Sequence, residues 1–124
     1  MKDNRPVNLD IGTIRLPITA LVSITHRVTG VILVVSSFLL LWALDMSLAG
    51  PQSFAALAGA LDNVLVKFAL WGICVALIYH SLAGVKHLIM DFGIGETMEG
   101  GVLLARMVIV LTVIGAALAG VAVW

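Results

Sequence analysis

Three apolar stretches dominate the sequence and restrict the folds available to it. They run near Val28 to Leu48, Val64 to Met90 and Met107 to Trp124. Each is close to or longer than the roughly 20 helical residues that cross a hydrocarbon core about 30 Å thick. Because a chain in lipid must satisfy its own backbone hydrogen bonds, such segments fold as helices. The sequence therefore predicts an all-α integral membrane protein with three transmembrane helices.

The composition agrees with this fold class and excludes several functions. Of the 124 residues, 61% are hydrophobic and 11% are charged, which lies far outside the range of soluble domains. The formal net charge is zero, so no basic surface for nucleic acid is expected. A single cysteine, Cys74, excludes an intrachain disulfide and a multi-cysteine metal cluster. Cys74 is interpreted as a packing residue.

The segments outside the spans predict a single membrane domain over residues 1–124. An amino-terminal segment (1–17) precedes spans at about 18–48, 64–91 and 103–124, and Pro17 suits the first turn of a helix. Residues 49–63 are expected to form a short loop broken at Gly50-Pro51, and the glycines and acids after Asp91 predict a turn. A cleavable signal is not expected, because polar and mixed residues occupy the chain up to Val28.

The distribution of basic residues and tryptophans predicts the orientation of the chain. Basic residues mark the cytoplasmic side of a membrane protein, and tryptophans favour the interfaces. The amino terminus is therefore expected in the cytoplasm and the carboxy terminus in the periplasm of a bacterial inner membrane, with the mitochondrial inner membrane as the alternative. Six of the seven basic residues are on the amino-terminal side (Lys2, Arg5, Arg15, Arg27, Lys86 and Arg106), with Trp42, Trp71 and Trp124 opposite. Lys86 is interpreted as a topology charge.

Two histidines of the second span are candidates for chemistry. His80 and His87 share one helix face about 10.5 Å apart along the axis, so they cannot approach opposite sides of one iron. His80 lies deep in the span, where an unpaired imidazole is costly and where iron binding would remove that cost. The alternative is a hydrogen bond from His80 to a neighbouring helix. Gly84, on the same face, would leave space for a flat ring or a close helix.

A polar stripe opens the first helix in the segment "SITHRVTG". Ser23, His26, Arg27 and Gly30 fall on one helix face. Arg27 can hold a carboxylate in a two-pronged contact, Ser23 can donate to a carbonyl, and His26 can do either. Snorkelling and helix capping at the interface are the alternative explanation of the stripe.

The end of the second helix adds an acid to these polar groups. His87 and Asp91 are four residues apart and are expected at a depth similar to that of the polar stripe. Asp91 can release a proton near the polar stripe, which the Arg27 guanidinium cannot do. It is therefore the candidate for proton delivery to a molecule bound there. An interfacial ion pair would also explain Asp91. A relay through His80, His87 and Asp91 would instead make the chain a small proton-channel or transporter subunit.

Two long motifs resemble those of a known family. "RPVNLDIGTIRLPITALVSITHRVTG" (residues 5–30) and "HSLAGVKHLIMDFG" (residues 80–93) are similar to the signature regions of the cytochrome b membrane-anchor subunit of succinate dehydrogenase, complex II. The resemblance implies that His80 is an axial ligand of a haem b iron, with the other ligand supplied by a second hydrophobic anchor subunit. Ser23 and Arg27 would bind ubiquinone, and His26, Arg27 and His87 would contact the haem propionates.

The resemblance also implies the partners and the role of the chain. The chain would anchor a flavoprotein subunit and an iron–sulfur subunit to the lipid membrane and take part in electron transport. It would be non-catalytic alone, because it has no dinucleotide fingerprint and no cysteine set for iron–sulfur clusters. Small residues from Gly115 to Gly120 offer a packing face for the second anchor subunit or within the chain.

One departure from the family pattern and one alternative belong to this interpretation. The family usually has arginine where this chain has Lys86, so the charge is kept but the two-pronged donor is lost. A haem could also be held within the chain, between His26 and His87.

Overall fold

The computed structural model describes Val7 and residues 9–124, and every regular element among these residues is a helix. After a short 3-10 turn at Ile11–Thr13 come α1 (Ile18–Leu48), α2 (Pro51–Ala60), α3 (Val64–Asp91) and α4 (Met98–Val123). By length and composition, α1, α3 and α4 can each cross a membrane. The predicted all-α fold with three transmembrane helices is confirmed. Lys2 and Arg5, which entered the orientation argument, lie outside the described residues.

Local residues explain where the long helices begin. Pro17 precedes α1 in an extended conformation, as expected for a residue that restricts the backbone and has no N–H to donate. The Asn63 side chain accepts a hydrogen bond from the Leu65 N–H at 2.9 Å and so caps α3. The Thr97 hydroxyl accepts from the Gly100 N–H at 3.1 Å and caps α4. This cap starts α4 at Met98, ahead of residue 103, which is about where the third span was expected to begin.

The connection between α1 and α3 differs from the predicted loop, because it contains the helix α2. Gly50 has a φ of 145°, a backbone conformation that favours glycine, and Pro51 occupies the first turn of α2. The Phe54 N–H donates to the Gly50 carbonyl at 2.9 Å, which closes that turn. Alanines fill much of the segment and favour a helix. The prediction was wrong because Gly50-Pro51 was treated as a loop breaker when it is a helix start.

The three long helices pack most closely near the amino-terminal part of α1. Val22, Ala83, Ala105 and Val108 form a small buried cluster, and Ala83 and Ala105 are fully buried. Alanine has little side chain to separate two backbones, so helices in a membrane approach closely where it faces a neighbour. The Tyr79 hydroxyl donates to the Val22 carbonyl at 3.0 Å and ties α3 to α1. We call this region, with the histidines beside it, the histidine end.

Aromatic contacts hold α3 to α4 at the opposite end of the bundle. The Trp71 indole N–H donates to the Ala116 carbonyl at 2.8 Å. The Trp124 ring lies edge-on to Phe68, with ring centroids 5.0 Å apart, and contacts Trp71 in the same way at 6.3 Å. Trp42 of α1 lines a groove with residues of α2 and α3. We call this region the tryptophan end.

Candidate functional site at the crossing of two helices

Three imidazole rings meet where α1 and α3 cross. The His26 and His80 rings are stacked, with centroids 4.1 Å apart and an angle of 13° between their planes. The His87 ring lies 5.2 Å from that of His26 and is tilted by 58°. The sequence placed His26 and His87 at similar depths, and their rings do meet. The contact between His26 and His80 was missed, because spacing within one helix does not reveal its register against another.

A glycine faces each of the two stacked histidines. A Cβ atom on Gly30 would lie 3.1 Å from Cε1 of His80, and a Cβ atom on Gly84 would lie 3.6 Å from Nε2 of His26. Each histidine therefore packs against the glycine one turn after the histidine of the other helix. Gly84 was expected to leave space beside His80, but the ring that faces Gly84 is that of His26. The expected close approach of a helix is present.

The hydrogen bonds of His80 determine which of its nitrogens is available. Its Nδ1 lies 3.0 Å from the His26 main-chain carbonyl and 3.3 Å from the Thr29 hydroxyl oxygen. A carbonyl only accepts, so Nδ1 must carry the proton and Nε2 must carry the lone pair. Within the part of the chain that the structure describes, no hydrogen bond reaches Nε2. The hydrogen bond across to a neighbouring helix thus exists and leaves one nitrogen able to bind a metal.

Two hydroxyl residues next to the histidines were not singled out from the sequence. Thr29 is buried, with 8% of its surface exposed, and Tyr79 is half-buried. Hydroxyl groups are common in transmembrane helices, where they bond to carbonyls of their own helix. The spacing of Thr29 from His26 could have drawn attention to it, but only the position of α3 shows that it faces His80.

Ser23 and Arg27 lie on α1 beside the histidines without joining them. Ser23 is half-buried and Arg27 is exposed. Neither makes a hydrogen bond or an ion pair with another residue in the described part of the chain. Asp91 is exposed at the last position of α3 and likewise pairs with no described residue. These side chains therefore keep their hydrogen-bonding groups available for other molecules.

Lys86 differs from its interpretation as an interfacial topology charge. Only 4% of its surface is exposed. Its side chain lines a small cavity between α3 and α4, together with Leu82, Leu104 and Val108 among others. A long aliphatic stem can cover apolar surface in this way. Lys86 therefore contributes to the packing between α3 and α4 as well as to the charge of the chain. No described residue forms an ion pair with it.

The donor set is too small for a metal site of protein ligands alone. Among the described residues, no three His, Cys, Asp or Glu side chains are grouped so that they could hold a metal ion. Within the described residues, the Nδ1 atom of His80 is engaged by α1 and its Nε2 atom has no hydrogen-bond partner. This donor set suits a prosthetic group that brings most of its own metal ligands.

Comparisons with known proteins identify the family of the chain. A family model described as the succinate dehydrogenase/fumarate reductase transmembrane subunit matches residues 1–119. A succinate dehydrogenase cytochrome b556 subunit from Coxiella burnetii is 37% identical over 125 residues, covering all of both chains. The subunit of the same description from Paracoccus denitrificans is 37% identical over 98 residues, covering 79% of this chain and 75% of the relative.

A mitochondrial relative extends the match to eukaryotes. The succinate dehydrogenase cytochrome b560 subunit from Sus scrofa is 33% identical over 116 residues, covering 90% of this chain and 67% of the relative. The family match includes both motifs, residues 5–30 and 80–93, and continues into α4. The chain belongs to the family of succinate dehydrogenase/fumarate reductase transmembrane subunits.

Proposed function

We propose that the chain is the cytochrome b membrane-anchor subunit of a succinate:ubiquinone oxidoreductase, in which His80 binds the iron of a haem b. The observation that carries this proposal is the state of the His80 ring. Its Nδ1 is engaged by the His26 carbonyl at 3.0 Å, so Nε2 is the nitrogen left for iron. Haem b, when bound, supplies one-electron redox chemistry.

The arrangement of the rings supports a haem shared with a second hydrophobic anchor subunit. A haem b held by His80 would need its second histidine from a side chain that does not pack against the His80 ring. The His26 ring lies parallel against the His80 ring, so it does not face His80 across a macrocycle. The His26 and His87 rings contact each other, with centroids 5.2 Å apart, so a haem between them would require the two side chains to separate. This geometry argues against the alternative of a haem held between His26 and His87.

Polar groups around His80 would hold the haem propionates. Arg27 offers the planar fork of donors that fits a carboxylate, and its neighbour His26 can donate from its ring. His87 approaches His26 from α3, and His26 is stacked on His80, so ring donors from both helices lie close to one another. We assign the propionate contacts to His26, Arg27 and His87.

Ser23 and Arg27 would form part of the ubiquinone site. The carbonyl oxygens of a quinone only accept hydrogen bonds, and Ser23 is a compact donor one helical turn from Arg27. The fixed charge of Arg27 favours the negative charge that develops on these oxygens as electrons arrive. The protons must come from another group, and Asp91 at the end of α3 is the candidate within this chain.

The remaining assignments concern partners and location. The flavoprotein and iron–sulfur subunits would dock on the amino-terminal side. They would deliver the electrons, because this chain has no cysteine set for iron–sulfur clusters. The bacterial relatives support a bacterial inner membrane. The distribution of basic residues supports a cytoplasmic amino terminus and a periplasmic carboxy terminus. Residues 1–124 would act as one membrane domain, with lipid around it.

The visible spectrum of the purified complex tests the proposal against the proton-relay alternative. We expect a b-type band that appears on reduction with dithionite and accompanies succinate-driven quinone reduction. A complex that lacks this band and instead conducts protons in liposomes would support the relay through His80, His87 and Asp91.

A further inference from the structure

We propose that Thr29 is a positioning residue for His80, because its hydroxyl accepts a second hydrogen bond from the Nδ1–H group. This inference rests on the proposed role of His80 as the iron ligand. Thr29 itself would touch neither the haem nor the quinone. It would act only through the orientation and basicity of the imidazole.

The hydrogen bonds of the Thr29 hydroxyl show that it acts as an acceptor toward His80. Its oxygen lies 2.9 Å from the Thr25 carbonyl and 2.9 Å from the His26 carbonyl. Both carbonyls only accept, so the single hydroxyl proton is used on this side. The lone pairs that remain can accept from the Nδ1–H of His80, at 3.3 Å. Nδ1–H is therefore shared between two acceptors within one turn of α1.

The surroundings keep this shared bond in place. Thr29 is 8% exposed, and a β-branched side chain in a helix has few rotamers available. Gly30 allows the His80 ring to come so close that an added Cβ would lie 3.1 Å from Cε1. The stacked His26 ring covers one face of His80. Rotation of the His80 imidazole about its Cβ–Cγ bond would thus break the hydrogen bonds of Nδ1 or push the ring against Gly30 or His26.

A hydrogen bond from the second nitrogen of a metal-bound histidine changes the reduction potential of the metal. Such a bond fixes the tautomer and makes the ligating nitrogen more basic. A more basic ligand favours the oxidised iron, which carries the higher positive charge. Removal of one of two acceptors should therefore favour the reduced iron and raise the midpoint potential of the haem.

Thr29→Val is the sharpest test, because it keeps the branched shape and removes the hydroxyl. At a fixed potential we expect the ratio of reduced to oxidised haem to rise about two- to tenfold, the effect of losing one hydrogen bond. Redox titration of the purified complex measures this ratio, and the electron paramagnetic resonance of the oxidised haem reports the ligand orientation. Both measurements are independent of turnover.

Two variants serve as controls. Thr29→Ser keeps the hydroxyl and should retain the wild-type potential and resonance. Thr112→Val makes the same chemical change on α4, where the Thr112 hydroxyl donates to the Val108 carbonyl at 2.7 Å and no described histidine is in contact. It should change neither measurement.

The possible results separate this inference from the proposed function. An unchanged potential and resonance in Thr29→Val, with normal haem content, would overturn the inference. If Thr29→Val assembles without haem, a Thr29→Ser complex with wild-type haem supports it, and a Thr29→Ser complex without haem overturns it. His80→Leu on the same membranes tests the ligand alone: a retained low-spin spectrum there rejects the proposed role of His80, whatever Thr29 does.

Discussion

The histidine end and the tryptophan end are built from the same three helices but pack differently. At the histidine end, alanines and glycines bring α1 against α3, and polar groups of the two helices bond to each other. At the tryptophan end, no residue of α1 after Ser36, of α3 before Ala76 or of α4 after Val108 is buried. Large apolar side chains instead surround a groove of about 420 Å³ between α1, α2 and α3.

The difference shows what each end needs from its own chain. A side chain in the role proposed for His80 must be held in one orientation, and His80 is held by stacking, hydrogen bonds and close backbone contact. The tryptophan end has no such requirement among the described residues, and one indole bond and edge-on aromatic contacts suffice there. Lipid or other subunits can cover its apolar surface without precise geometry. Packing density thus follows the position of the chemistry rather than hydrophobicity.

A reporter fused after Trp124 tests which side of the membrane each end faces, and its expected effect is all or none. The proposed orientation puts the tryptophan end on the periplasmic side, so a reporter active only outside the cytoplasm should be active there. The same reporter at the amino terminus should be inactive. The reverse pattern would invert the two ends and every site placed by them.

Replacement of His80 by leucine should remove the low-spin b-type spectrum. The Nδ1 atom of His80 is held by the His26 main-chain carbonyl, which leaves Nε2 for iron, and leucine cannot bind iron. His87→Leu is the matched control on the same face of α3, and it should retain iron ligation. Absorption spectra of the purified complexes measure the result. Loss with His87 and retention with His80 would return the intrachain haem to consideration.

Replacement of Ser23 by alanine should lower succinate-driven quinone reduction by roughly ten- to a thousandfold. This is the range expected for losing a hydrogen bond that strengthens as charge develops on the substrate. Haem content and succinate oxidation by a soluble dye should stay near normal. Paired assays on one membrane preparation make the comparison. A wild-type quinone rate would remove Ser23 from the site, and a loss of haem would show that Ser23 belongs to the structure of the histidine end.

The sequence allowed the fold class to be predicted, because span length and hydrophobicity depend only on local composition. It did not reveal α2, since Gly50-Pro51 is equally consistent with a loop and with a helix start. It also missed the buried position of Lys86, because charge alone predicts exposure. Both depend on contacts in the folded chain. The Phe54 N–H bonds to the Gly50 carbonyl at the start of α2, and residues of α4 cover the Lys86 side chain.

The candidate site shows the same limit. His80, His26 and His87 could be singled out because imidazoles are rare and costly in an apolar helix. Their stacking depends on the register of α1 against α3, which small residues on both helices permit but do not specify. The role proposed for Thr29 depends on the distance between its hydroxyl oxygen and Nδ1 of His80. Such contacts depend on how two helices pack against each other, which the sequence of either helix does not reveal.

The smallest expected effect, and the most direct comparison of the two ends, comes from one substitution made at each. Both Gly30 and Gly72 are inside transmembrane helices, where alanine is favoured over glycine by about 0.5–1 kcal/mol. A Cβ on Gly72 meets no other atom within 4 Å, whereas a Cβ on Gly30 lies 3.1 Å from Cε1 of His80. Gly72→Ala should therefore stabilise the protein by about that amount.

Gly30→Ala should have the opposite sign, because the His80 ring has little freedom to move away. It is stacked on His26 and hydrogen-bonded to α1, so a shift of a few tenths of an ångström weakens contacts worth about 1 kcal/mol each. This loss should exceed the gain in helix propensity. Thermal unfolding of the purified complex in detergent measures both variants, with a lower midpoint expected for Gly30→Ala and a higher one for Gly72→Ala. Equal and positive shifts in both would mean that the two ends tolerate change alike and that His80 is not tightly held.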